Sequence, residues 1–161
     1  GLTSPEIKDN LIALFIAATE SIAKTLSQCI YYLAKYPDIQ RTAYQEVCDK
    51  IKNPDNINWE TLRELHYTEA FIKEVLRFTT PFPRFERIVK TDFHLDTEFG
   101  PILLPKNSIV SVLASVVHMD PDYFAEPDVF NPNRFLPGFQ HLINPLAFIP
   151  FANGPRNCID F

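Results

Sequence analysis

Proline is the residue that most restricts what this chain can fold into. Fourteen prolines occur among 161 residues, and all but Pro5, Pro37 and Pro54 lie from Pro81 onward. Each one fixes φ and removes a backbone donor, so regular helix or central strand is interrupted every few residues there. Long helices are therefore confined to residues 1–80, and residues 81–161 fold as small sheets and ordered coil. No linker or internal repeat separates the two halves.

Within the first half the apolar spacing is helical. Ser4 is read as an N-cap, with Pro5 at the first helical position and Glu6 in the first turn. Ile7, Leu11, Leu14, Ala18, Ile22, Leu26, Ile30 and Leu33 then recur in steps of three and four. Phe15, Ile16, Ala17 and Ala23 make most of the other face apolar too, which predicts a central, buried helix. It should stop near Tyr36, because Pro37 disfavours helix just before it. A second helix is expected over 37–52, then a loop over 53–56 and a short turn capped by Asn58, with Trp59 packed. A third long helix is expected over 67–78, with Ala70, Phe71, Val75 and Phe78 inward and Pro81 and Pro83 ending it. Short strands are expected over 87–89, 93–95, 102–104 and 108–113, and coil from Met119 onward. The phenylalanines of that coil need burial, so it should be ordered.

Composition excludes several function classes. The net charge is −5, and a nucleic-acid surface would need a basic excess. Cys29, Cys48 and Cys158 form neither a disulfide framework nor a zinc pattern with the scattered histidines. The apolar run from Leu11 to Ala18 is too short to cross a bilayer.

Four places could carry chemistry. Cys158 lies in Phe151-Ala-Asn-Gly154-Pro-Arg156-Asn-Cys158, a loop whose backbone N–H groups and Arg156 could favour a thiolate, the form that ligates iron. By itself such a cysteine is more often a buried or idle thiol. Glu74 and Arg77 share a helix face and could pair, as many surface residues do. Glu20 and Ser21 follow Ala17-Ala18-Thr19 in the apolar first helix; Glu20 could face solvent beside Lys24, or relay protons with the Ser21 hydroxyl. Arg87 could be an exposed strand arginine or a fork for a carboxylate.

Taken in order, these segments resemble the cytochromes P-450. Phe151-x-x-Gly154-x-Arg156-x-Cys158 resembles that family's heme-binding loop. Leu65-x-Tyr67-x-x-Ala70-x-Ile72-x-Glu74-x-x-Arg77 resembles its Glu-x-x-Arg helix, and Phe130-Asn-Pro132-Asn-Arg134-Phe135 its Pro-x-Arg-Phe segment. Ala17-Ala18-Thr19-Glu20-Ser21 resembles the oxygen-binding groove, with Ala18 for glycine and Ser21 for threonine. Pro81-x-Pro83 through Arg87 to Asp92, and His118-Met-Asp-Pro121, also have counterparts.

The resemblance implies a mainly α fold with small β-sheets, the part of a P-450 from its central helix to its cysteine loop. It implies heme b (iron protoporphyrin IX) bound by Cys158 as the metal ligand, with Arg87 and Arg156 on the propionates and Phe151 and Gly154 as further cofactor-binding residues. Glu74, Arg77 and Arg134 would form a buried network placing that loop, and His118 would tie a turn. The implied activity is a monooxygenase inserting one atom of O2 into an apolar small molecule, with electrons from an NADPH-dependent reductase. The parent protein is expected at the endoplasmic reticulum membrane, with no nucleic-acid partner. A heme-thiolate isomerase or a non-catalytic remnant are the competing expectations. Two departures bear on them. Asp160 stands where the family has glycine, and the chain runs only from Gly1 to Phe161. On that basis this stretch is expected to be a fragment that holds heme poorly by itself.

Overall fold

Helix α1 (Ser4–Lys35) is set by a cap one residue before the expected one. A computed structural model describes residues 1–159, so Asp160 lies outside the described residues. The Thr3 backbone N–H and hydroxyl both donate to the Glu6 carboxylate, at 2.7 Å each. Thr3 therefore takes the cap position and Ser4 the first turn, because the Glu6 carboxylate reaches back three residues. Helix α2 (Pro37–Lys50) follows with Pro37 at its start. The expected loop after it contains a 3-10 turn, Pro54–Asn56. Asn58 caps α3 (Trp59–Arg63) by accepting from Thr61 N at 2.9 Å.

Helix α4 (His66–Phe78) has Leu65 before it, which carries no side-chain acceptor. Glu46 of α2 fills that role: its carboxylate accepts from Tyr67 N at 2.7 Å and Thr68 N at 2.8 Å. An anion at a helix N-terminus meets both the free N–H groups and the helix dipole favourably. Helix α4 is thus oriented by α2.

The sheets are two separate antiparallel pairs. Strand β1 (Phe85–Ile88) pairs with β4 (Ile109–Val112), with Phe85 opposite Val112. The hairpin of β2 (Phe93–Thr97) and β3 (Gly100–Leu104) is inserted between them. Gly100 closes that hairpin at a φ of 106°, a backbone shape that side chains disfavour. A short helix α5 (Ala114–Val117), which periodicity did not signal, leads into the coil. That coil is ordered by 3-10 turns at Pro132–Phe135 and Gln140–Leu142.

Two apolar clusters form the core, and α4 contributes to both. One joins Cys29 and Tyr32 of α1 to Phe71, Val75 and Phe130. Tyr32 and Phe130 stack with ring centroids 4.4 Å apart. The other joins Ala70 to Phe124, Phe135 and Ala147. Two expectations are corrected here. Helix α1 is buried only near its C-terminal end; Leu11, Phe15, Ile22 and Leu26 are exposed. Periodicity specified an apolar surface, but no other element of the described chain covers it. Trp59 does not pack either and is 75% exposed, since α3 lies on the outside. Among the described residues, no helix is long and apolar enough to cross a membrane.

Candidate functional site

Glu74 and Arg77 are both fully buried, one turn apart on α4. Arg77 donates Nε to Glu74 Oε2 at 2.7 Å and Nη2 to Oε1 at 2.8 Å, a two-point pairing. Its remaining N–H groups reach the carbonyls of His118 at 2.8 Å and Pro127 at 3.0 Å. Arg134 Nε donates to Glu74 Oε1 at 3.2 Å, and the Asn131 backbone N–H to the same oxygen at 2.8 Å. Arg134 then spreads over the carbonyls of Ala125, Glu126 and Val129. One carboxylate therefore gathers two guanidinium groups, which between them hold the coil from His118 to Arg134. Desolvating these charges is costly, so the arrangement acts by fixing geometry more than by adding stability.

The coil continues to the cysteine loop. Ala152 and Gly154 have φ of 61° and 84°. The left-handed shape, rather than any close neighbour, favours glycine at 154, since nothing lies within 4 Å of an added Cβ. The loop closes when Cys158 N donates to Phe151 O at 2.9 Å. Among the described residues no N–H donates to Cys158 Sγ, so the expected cradle of donors around the sulfur is not formed by them. Several donors there serve the turns of the loop itself, such as Asn157 N to Gly154 O at 3.1 Å.

A cleft of about 550 Å³ opens between this loop, α1, α4 and the start of β1. Cys158, Phe151, Arg156 and Arg87 all line it. So do Leu14, Ala17, Ser21 and Thr25 of α1, spaced to share one helix face. Ile72 and Leu76 of α4, with Phe82 and Phe85, complete an apolar wall. The volume falls within the range of small-molecule and cofactor sites.

Two candidates are placed differently. Glu20 does not line the cleft and is exposed, because it sits about 100° round the helix from Ser21. The Lys24 side chain, its supposed partner, donates to Pro81 O at 3.2 Å and ties α1 to the turn after α4. Ser21 donates its hydroxyl to Ala17 O at 2.8 Å, one turn back. Gly154 is exposed and lies outside the lining. Arg87 Nη1 donates to the Glu86 carbonyl at 2.8 Å.

Sequence reasoning missed two residues here, Thr25 and Glu46. Thr25 lines the cleft with its hydroxyl on Ser21 O at 2.9 Å; its place four residues after Ser21 was a legible signal. Glu46 had none, since its target lies on another helix. His118 had a signal in its turn motif, but not its reach to Ile149.

The family model described as Cytochrome P450 matches residues 1–159. Cytochrome P450 3A9 of Rattus norvegicus is 35% identical over 98% of this chain and 31% of the relative. Cytochrome P450 3A31 of Mesocricetus auratus, also at 35%, and cytochrome P450 3A13 of Mus musculus, at 34%, match over the same shares. The chain spans about a third of the length of these curated relatives.

Proposed function

The chain belongs to the cytochrome P450 family, and on that premise we propose that it forms the cysteine-loop portion of a heme-thiolate monooxygenase. The observation that carries this reading is the shared cleft: one cysteine, two arginines and a small-residue helix face meet around an apolar space. That donor set suits heme b. An apolar macrocycle would suit the apolar wall, its propionates would be held by Arg87 and Arg156, and Cys158 would supply a thiolate to the iron. Bound there, the group supplies an iron centre able to activate O2 with electrons from a reductase.

The chain's own residues have simpler tasks. Ala17 leaves room on the α1 side of the cleft. Ser21 offers a hydroxyl that would turn from Ala17 O to pass a proton inward. Glu20, on the solvent side of the same turn, would resupply it. The Glu74, Arg77 and Arg134 network holds the coil that leads to Cys158. An apolar organic molecule is the substrate class the wall favours, with an NADPH-dependent reductase as electron donor. The parent protein would sit at the endoplasmic reticulum membrane.

The test is spectroscopic. Reduced under carbon monoxide, the heme-loaded protein should show the red-shifted Soret band of a thiolate ligand, and Cys158→Ser should abolish it. A Cys158→Ser variant with the unaltered band would sink the assignment. Turnover needing neither NADPH nor O2 would favour a rearrangement enzyme instead.

A further inference from the structure

His118 is fully buried and bonded at two levels. Its carbonyl accepts from Arg77 Nη1 at 2.8 Å. Its Nε2 accepts from the backbone N–H of Ile149 at 3.0 Å. That acceptance requires the neutral tautomer with its proton on Nδ1. Nδ1 lies near the Arg77 backbone yet makes no well-formed hydrogen bond. An orphaned buried donor is costly. What the imidazole adds over an apolar side chain of similar size is the acceptor at Nε2.

The partner of that acceptor is well placed. Ile149 is followed by Pro150, which has no N–H, and by Phe151, whose carbonyl accepts from Cys158 N at 2.9 Å. Just before it, Ala147 is buried in the second core cluster and Phe148 packs against that cluster. Phe148 has its ring 5.5 Å from His118 and 4.7 Å from Phe135. A path of bonds thus runs from Glu74 through Arg77 and His118 to Ile149, two residues from the base of the cysteine loop.

We propose that His118 is a positioning residue, coupling the buried Glu74 and Arg77 pair to the Cys158 loop by holding the Ile149 backbone. The proposal rests on Cys158 being the heme ligand. His118→Asn and His118→Leu remove the acceptor at the Nε2 position, whereas His118→Gln places an amide oxygen there. In the heme-loaded protein, the ferrous carbonyl spectrum should show thiolate loss, read as the blue-shifted Soret band, raised about fivefold in the Asn and Leu variants, the equivalent of one ordinary hydrogen bond. His118→Gln should restore the wild-type spectrum. Amide exchange at Ile149 should accelerate in the Asn and Leu variants while amides of α4 keep their protection. If His118→Leu fails to fold, the Asn and Gln pair makes the same comparison. A thiolate band and Ile149 exchange unchanged in every variant would overturn this proposal alone. So would protection lost throughout α4 without rescue by Gln, which marks a packing role. A wild-type protein lacking the thiolate band would overturn the ligand reading, and this proposal with it.

Discussion

Arg77 sits at 1% exposure with its guanidinium spent on Glu74 and on backbone carbonyls. Removing one partner leaves the other charge buried without its counter-ion. Arg77→Leu should therefore destabilise the fold by about 3–5 kcal/mol, read by urea denaturation. The double variant Glu74→Leu with Arg77→Leu should cost clearly less than the two single losses added together, because no unpaired charge remains. His118 makes a pH prediction at the same scale. Burial pulls it down to about 4, helped by the Arg77 charge and opposed by the Arg77 backbone. The native imidazole is thus neutral, while the unfolded one takes a proton near pH 6.5. Between these values the unfolded state binds more protons, so stability should fall as pH drops from about 6.5 toward 4. His118→Gln should flatten that part of the profile. Both residues were recognisable as parts of sequence motifs, and Glu74, Arg77 and Arg134 do converge. What spacing could not express is that Arg77 donates to a backbone carbonyl and Glu74 accepts from a backbone N–H far along the chain, since backbone groups carry no sequence signature.

At the scale of elements, α4 is decided by its neighbours. Its N-terminus depends on Glu46 of α2, so Glu46→Ala should cost about 1–2 kcal/mol in thermal or urea unfolding, as lost helix caps do. Phe130 from the coil closes the cluster between α1 and α4, stacking on Tyr32 and meeting Phe71 and Phe78 edge-on. Phe130→Ala should cost about 3–5 kcal/mol and loosen the Glu74 network beside it. Surface pairs such as Arg41 with Asp38 are highly exposed and should be nearly silent when removed. The helices and strands themselves were largely readable, because caps, prolines and apolar spacing act locally. Helix α5 was not: four residues carry too little periodicity to announce themselves.

For the whole molecule, the open apolar face of α1 is the dominant surface feature. Leu11 and Phe15 are 62% and 72% exposed. The 161-residue chain on its own should bind an apolar dye and scatter light in a concentration-dependent way, and Leu11→Lys with Phe15→Glu should reduce both. The cleft shares that helix, and only its folded arrangement separates Ser21, on the lining, from Glu20, which is not. By itself the sequence determined the partition into a helical and a proline-rich part, the cysteine loop, and the charged residues that converge on Glu74. These are local or motif-borne, written in residue type and spacing. Tertiary structure alone decided which apolar face of α1 is covered, which helix caps α4, and that His118 reaches Ile149. Each of these pairs groups distant in sequence, and such pairings follow from how the elements pack in three dimensions.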